Sequence, residues 1–323
     1  MGVQIKYELT ETQANMVNNL AVQFKRDIDN CNNGSIETRR RYHPALEDRF
    51  AKFLAVEFRL KNVKNVKNVS AKHIFAYVDF LQANGKSASY IMTELSAIRF
   101  WHKHSDCKNK LPDNKKLNLE KREVGKYNKG FLDSELTKMV DVAKSGDRRD
   151  VVLGVYIVYH FGLRKNELAT LRIYRLEEAL ESKQLHIPNG KGGQAIDIPL
   201  DTEEQVIVLQ KILNIAKADG KKSSNYLFCD NHKNSVKKVK TALTNWMSNH
   251  IDEILDPDRK AQIKEGKKER ADSGYGWHAI RHTYAQKAEE RLIARGMNEE
   301  QARREVSERL GHHRSGITKI YEE

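Results

Sequence analysis

Apolar residues recur three and four apart in two neighbouring stretches of this chain: Ile74, Val78 and Leu81 in residues 71–83, and Ile91, Leu95, Ile98 and Trp101 in residues 89–102. That spacing lines one face of a helix, so it predicts two amphipathic helices packed on one another. Gly85-Lys-Ser-Ala-Ser breaks the period, and Ser87 or Ser89 is the expected N-cap of the second helix. Residues 151–161 form an apolar run that predicts a buried helix, broken by Gly162 so that Arg164 sits just past its end. Upstream, Phe131-Leu-Asp-Ser-Glu-Leu opens another helix, with Asp133 or Ser134 as cap and Glu135 favoured in the first turn. The period then drops to two. Residues 184–188 and 194–200 alternate apolar and polar side chains around Asn189-Gly-Lys-Gly-Gly, a β-hairpin signal with Lys191 at its tip. A charged stretch, residues 289–309, is expected to add a helix or to extend two around Gly296.

The periodicity lapses over residues 108–128, which are polar and rich in charge and contain Pro112. This stretch reads as a linker. The expected organisation is therefore a helical domain in residues 1–107, the linker, and a second domain in residues 129–323, consistent with a length of 323 residues. Lys61-Asn-Val, repeated three times, places lysines that can meet a phosphate backbone or stand in a solvated loop; three copies are too few for a repeat architecture. No apolar run approaches membrane-spanning length, and the first residues lack the apolar stretch of a signal peptide. Cys31, Cys107 and Cys229 are scattered, without a Cys-x-x-Cys pair, which fits a reducing cytoplasm and no disulfide framework.

Charge changes the picture. The formal net charge is +13, a balance that points to nucleic acid or another acidic surface. The excess is uneven, since residues 1–128 hold 23 Lys and Arg against 14 Asp and Glu. The N-terminal part is the expected electrostatic clamp, and if Z phosphates are neutralised, log K should fall against log salt with a slope of about −0.9Z.

The candidate chemistry lies downstream. His278-Ala-Ile-Arg281-His282, then Leu310-Gly311-His312, then Tyr321 bring imidazoles, a guanidinium and a phenol into one basic segment. A phenol with a pKa near ~10 is about 0.1% ionised at neutral pH, so its use as a nucleophile costs roughly 4 kcal/mol unless a base or cations assist. Arginine can fork onto phosphate oxygens and histidine can move a proton near neutrality. Upstream stand Gly162-Leu-Arg164-Lys-Asn-Glu167-Leu and Lys191. His278 and His282 also have the i, i+4 spacing of a zinc-hydrolase helix, but Ala279 occupies the place of the catalytic acid, and Arg281 between them would repel a dication.

These segments, in this order, resemble the tyrosine recombinases of the phage-integrase family: Arg, Lys, His-x-x-Arg, Leu-Gly-His and a Tyr nine positions on. The resemblance covers roughly residues 129–323. It implies that Arg164, Lys191, His278, Arg281 and His312 are active-site residues, Tyr321 the nucleophile and Glu167 a supporting acid. His312 rather than His313 fits the register. It further implies a mainly α (α+β) fold, with a helical SAM-like core-binding domain followed by a catalytic domain that carries a small antiparallel hairpin.

Site-specific recombination without metal, ATP or other cofactor follows from the resemblance. So do double-stranded recombination sites as substrate, a homotetramer on two duplexes, an accessory DNA-bending protein as a possible partner, and a cytoplasmic, nucleoid location. A mobile-element integrase is the preferred reading; the alternatives are chromosome-dimer resolution of the Xer type, a type IB topoisomerase and a silent DNA-binding regulator. Two departures stand out. Residues 289–309 are longer than in compact members of the family, and only Glu322 and Glu323 follow Tyr321, where many members carry a segment that docks on a neighbouring subunit. Either the chain continues beyond this sequence or its subunits couple differently.

Overall fold

A computed structural model describes residues 7–31, 36–58, 65–119, 130–190, 193–228, 233–261 and 276–311. It divides into two compact units, Met1–Glu123 and Val124–Glu323.

The first unit is helical. Helix α1 (Glu11–Asp29) starts at Thr10, whose hydroxyl accepts from Gln13 N–H at 3.3 Å while the Gln13 side chain takes the Thr10 N–H at 2.9 Å. Met16, Val17, Leu20, Phe24 and Ile28 make its buried stripe. Helix α2 (Ile36–His43) passes through a π-helical stretch, Pro44–Phe50, into α3 (Ala51–Glu57). Helices α4 (Ala71–Ala83) and α5 (Ala88–His104) are the pair foreseen from the spacing, and each of the seven apolar residues quoted for them is buried. Of the two candidate caps, Ser87 is the one used, its hydroxyl accepting from Tyr90 N–H at 3.3 Å. Gly85 turns the chain with φ +65°. Phe24, Phe50, Phe53, Tyr77 and Trp101 form the aromatic centre of this core.

Two stretches behave differently from their composition. In the lysine repeat, Lys61 and Lys64 lie outside the described residues, while Val66–Asn68 forms one turn of 3₁₀ helix with Val66 and Val69 fully buried. A three-residue period matches three residues per turn, so the valines serve the core and Lys67 pairs with Asp106 at 2.9 Å on the surface. The stretch expected as linker begins with packed chain. Leu117 is buried in the first core, Asn109 donates to the Val69 carbonyl at 3.0 Å, and Arg99 donates to the Pro112 carbonyl at 3.1 Å. Isolated leucines spaced by polar residues carry no period, which is why composition alone reads them as unstructured. Residues 120–129 lie outside the described residues.

The second unit builds its core from α6 (Asp133–Ser145), α7 (Arg149–Phe161), α8 (Lys165–Ala169), α9 (Ile173–Ser182), α10 (Glu203–Ala218), α11 (Lys233–Ile254), α12 (Trp277–Ala294) and α13 (Glu299–Arg309). Helix α6 starts one residue before the expected caps: Leu132 is the N-cap, and the Glu135 carboxylate takes its N–H at 2.8 Å. Glu135 is buried, and it also accepts from Arg259 at 2.9 Å and from Asp256 N–H at 3.0 Å. The hairpin is present as β1 (Gln184–Ile187) and β2 (Ile196–Pro199), antiparallel, with Leu185 opposite Ile198 and Ile187 opposite Ile196. Gly154 lets α7 approach α12, since a Cβ there would stand 2.9 Å from the Trp277 ring. The charged stretch resolves into the end of α12, a turn at Gly296 (φ +97°) and α13. Among the described residues no helix is long and apolar enough to cross a membrane.

Candidate active site

Helix α7 ends because Gly162 takes φ +62°, and a Cβ at that position would lie 2.3 Å from the Tyr284 ring. The turn delivers Arg164 to the start of α8, where its backbone N–H donates to Glu167 Oε2 at 2.7 Å. The same carboxylate accepts from Arg164 Nη1, Oε1 at 2.7 Å, and lies 3.8 Å from Arg281 Nη1. Glu167 therefore sits between two guanidiniums, its side chain 3% exposed, that of Arg281 2% and that of Arg164 17%. A carboxylate so far out of water needs charged partners, and among the described residues one negative charge between two positive ones leaves the cluster net cationic.

The arginines stand 117 positions apart in the sequence and meet at one oxygen. The Leu310 carbonyl accepts from Arg164 Nη2 at 2.8 Å and from Arg281 Nη2 at 2.5 Å, while Arg281 Nη1 donates to the Gly162 carbonyl at 2.5 Å. The chain can turn at Leu310 because Gly311 takes φ +60°; a Cβ there would be 2.5 Å from Ile196 of β2 and 3.7 Å from Arg164 Nη1. This places the hairpin strand, both arginines and the segment leading to His312 in one neighbourhood.

His278 and His282 share α12 with their rings 5.0 Å apart at 83°, but their surroundings differ. His278 is exposed in the first turn and His282 is 4% exposed within the core. The first two turns are held from outside: Trp277 Nε1 donates to the Leu243 carbonyl at 2.7 Å, and the Thr283 hydroxyl accepts from Phe131 N–H at 2.7 Å. Among the described residues no group of three or more His, Cys, Asp and Glu side chains converges as a metal site would require. Lys191, His312 and Tyr321, assigned by resemblance, lie outside the described residues.

Sequence reading missed a lysine pair beside Arg164. Lys165 reaches the Thr244 hydroxyl on α11, and burial, then the nearby Lys240 ammonium, lower its pKa. Lys240 donates to Asn166 Oδ1 at 3.0 Å. Lys165 was visible next to Arg164; nothing in the sequence ties Lys240 to it across 75 positions.

A model of the phage integrase family matches residues 131–323. The chain belongs to that family. As such it is a tyrosine recombinase, a DNA breaking and rejoining enzyme of site-specific recombination. The chain is similar in structure to the Tn1549 transposon integrase in complex with transposon right end DNA, at 15% identity and a TM-score of 0.56, with 94% of each chain covered. A similar likeness is found to the XerH site-specific recombinase bound to difH substrate, at 16% identity and a TM-score of 0.55, covering 98% of this chain and 95% of that one. A lambda integrase dimer bound to a COC' core site gives 14% identity and a TM-score of 0.57, with 94% of each chain covered. At these identities the likeness establishes the fold, which agrees with the mainly helical architecture and the small antiparallel hairpin. No curated protein matches the chain.

Proposed function

We propose that this recombinase cleaves double-stranded recombination sites with Tyr321 and that Arg164 and Arg281 clamp the scissile phosphate. The single observation that carries the reading is the meeting of these two guanidiniums, 117 positions apart in sequence, on the Leu310 carbonyl, two residues before His312. Arginine stays charged, and two forks held in place by buried groups are preorganised for an anion.

In this mechanism the Tyr321 phenolic oxygen attacks phosphorus and the bond from phosphorus to the 5′ oxygen breaks. The product is a 3′-phosphotyrosyl strand and a 5′ hydroxyl. Arg164 and Arg281, with His312, stabilise the added negative charge on the non-bridging oxygens. His278, exposed on α12 at one turn from Arg281, accepts or shares the phenol proton, and Lys191, between β1 and β2, gives a proton to the leaving 5′ oxygen. Attack by a second 5′ hydroxyl reverses the step, and the phosphoester energy kept in the tyrosyl link makes ATP unnecessary. Glu167 is the supporting acid that holds the arginines.

The assembly proposed is a homotetramer on two duplexes, in the cytoplasm on the nucleoid, with a DNA-bending protein as accessory and a mobile element as the setting. Support for DNA as partner comes from the net charge of +13 and from the similar structures, which are bound to transposon right end DNA, to a difH substrate and to a COC' core site.

Covalent trapping tests the reading. Nicked duplexes carrying the DNA that flanks this gene, incubated in EDTA with wild-type protein and with Tyr321→Phe, are expected to give a protein–DNA band on a denaturing gel for wild type alone. Adduct surviving in Tyr321→Phe would move the nucleophile elsewhere. Binding without any wild-type adduct on these duplexes would favour a silent regulator.

A further inference from the structure

The Leu310 carbonyl sets the direction of both guanidiniums, so whatever fixes Leu310 fixes the pair. The residue before it, Arg309, has a side chain only 8% exposed and donates through Nη1 to Asp201 Oδ2 at 2.7 Å and through Nε to Glu305 at 2.9 Å. Burial opposes its charge, and the hydrogen bonds to Asp201 and Glu305 outweigh that, so its pKa is raised. Asp201 lies just beyond β2 and is anchored on three sides. Its N–H donates to Gln205 Oε1 at 2.9 Å, its carbonyl accepts from Arg295 Nη2 at 2.7 Å, and its carboxylate lies 3.3 Å from Arg295 Nη1. Gln205, 1% exposed, donates in turn to the His160 carbonyl at 2.8 Å on α7. Helix α7 ends at Gly162, whose carbonyl holds Arg281. The connections thus form a closed ring: α7, Gln205, Asp201, Arg309, Leu310, the two arginines, and α7 again.

We propose that Asp201 and Arg309 are positioning residues for strand cleavage. Their ion pair fixes the Leu310 carbonyl, and through it the orientation of Arg164 and Arg281. The inference rests on the phosphate-clamp reading above. A plain cross-link between α13 and the turn after β2 would need the ion pair alone; the shared carbonyl one residue away gives that cross-link a route to the chemistry. Misplacing a clamp by about 1 Å can cost on the order of 100-fold in rate.

The test uses the full-length chain and the nicked duplex from the flanking DNA, and compares wild type with Asp201→Asn, Arg309→Lys and Arg309→Met. Adduct formation is followed in a single turnover at saturating protein, with the DNA Kd and the Tm measured on the same samples. The expected result is a fall of roughly 10- to 100-fold in the saturated cleavage rate for Asp201→Asn and Arg309→Met, an unchanged Kd, and partial recovery in Arg309→Lys. The loss should also shrink on a duplex whose scissile phosphate is a neutral methylphosphonate, as it should for Arg164→Ala, because a neutral phosphorus centre asks less of the clamp. If Arg309→Met does not fold, as its Tm will tell, Asp201→Asn and Arg309→Lys carry the comparison. Saturated rates within about twofold of wild type, or a loss of equal size on both duplexes, overturn the inference while leaving the recombinase reading intact. Absence of adduct with wild-type protein overturns both.

Discussion

Each unit of this protein buries a glutamate against an arginine, and the two pairs are put together differently. In the first unit, Glu94 takes a fork from Arg49, Nε at 3.0 Å and Nη2 at 2.7 Å, and also accepts from the Tyr77 hydroxyl at 2.8 Å. The Tyr77 hydroxyl is kept protonated there, its pKa raised by burial and by Glu94. In the second unit, Glu167 takes one side-chain bond from Arg164 and has Arg281 3.8 Å away. Arg49 spends its fork on the carboxylate; Arg164 gives one Nη to Glu167 and the other to a backbone carbonyl. The first arrangement closes a core, and the second aims two cations at a place. A buried ion pair is therefore no sign of function by itself, and what distinguishes the second is that, among the described residues, its cations outnumber its anion and converge.

Removing each carboxylate gives the largest expected effect and separates the pairs. Glu167→Ala takes away the carboxylate 3.8 Å from Arg281, whose side chain is 2% exposed, and should lower stability by roughly 3–5 kcal/mol. Glu94→Ala leaves an Arg49 that is 36% exposed and can turn to water, so the cost should be about 1.5–3 kcal/mol. Guanidinium titration of each variant in the full chain measures both, and equal losses would mean that the exposure of the stranded arginine does not set the cost.

The arginines themselves come next. Arg164→Ala should slow adduct formation on the order of 100- to 1000-fold, equivalent to about 2.7–4 kcal/mol, as for loss of one donor aimed at a developing anion. Arg49→Ala should leave the cleavage rate of bound DNA at the wild-type value and act on stability. A cleavage defect in Arg49→Ala, with Kd and Tm intact, would contradict the division drawn above.

How much of this was written in the sequence differs between the same two places. The stripe Ile91, Leu95, Ile98, Trp101, the hairpin around Lys191 and the buried helix ending at Gly162 follow from spacing, because burial on one face imposes a period that one chain displays. Arg164, Glu167 and Arg281 were legible only through resemblance, since nothing local distinguishes Arg164 and Glu167 from a surface pair. The Leu310 and Gly162 carbonyls were not legible at all: backbone atoms have no letter. Nor was the Arg259 partner of Glu135, 124 positions away, or the packing of Leu117, which a search for periods passes over.

Acid should act on both units through a histidine buried in the first and one half-buried in the second, and for the second unit the window can be stated. Burial pushes His160 down to about 4, with Glu204 and Arg291 pulling in opposite directions after it. In the unfolded chain an imidazole titrates near ~6.5, so between that value and about 4 the unfolded state binds more protons. The contribution of neutral His160 is therefore complete above pH ~6.5 and lost as pH falls towards 4, to a total of up to about 3 kcal/mol. Burial, then Lys72, lower His73 in the first unit as well, so that unit should weaken in the same direction. Thermal melts from pH 7 to 4.5 should show the fall, and His160→Gln should flatten the part that belongs to the second unit. An unchanged slope in that variant would assign the acid sensitivity to other groups.

The smallest effect tests how finely a sequence signal can be resolved. Ser87 and Ser89 are equally good capping residues by type, and only one can stand at the N-cap of α5. The Ser87 hydroxyl accepts from Tyr90 N–H, whereas Ser89 lies inside the helix and its carbonyl accepts from the Thr93 hydroxyl at 3.0 Å. Ser87→Ala should cost about 1 kcal/mol, because it strands an N–H that no other helix carbonyl can reach. Ser89→Ala removes a hydroxyl from a helical position that alanine fills at least as well, so its effect should stay within about 0.5 kcal/mol of zero. The difference is readable as a shift in denaturation midpoint at constant m-value, and a reversed order of the two variants would place the start of α5 two residues later than the structure has it.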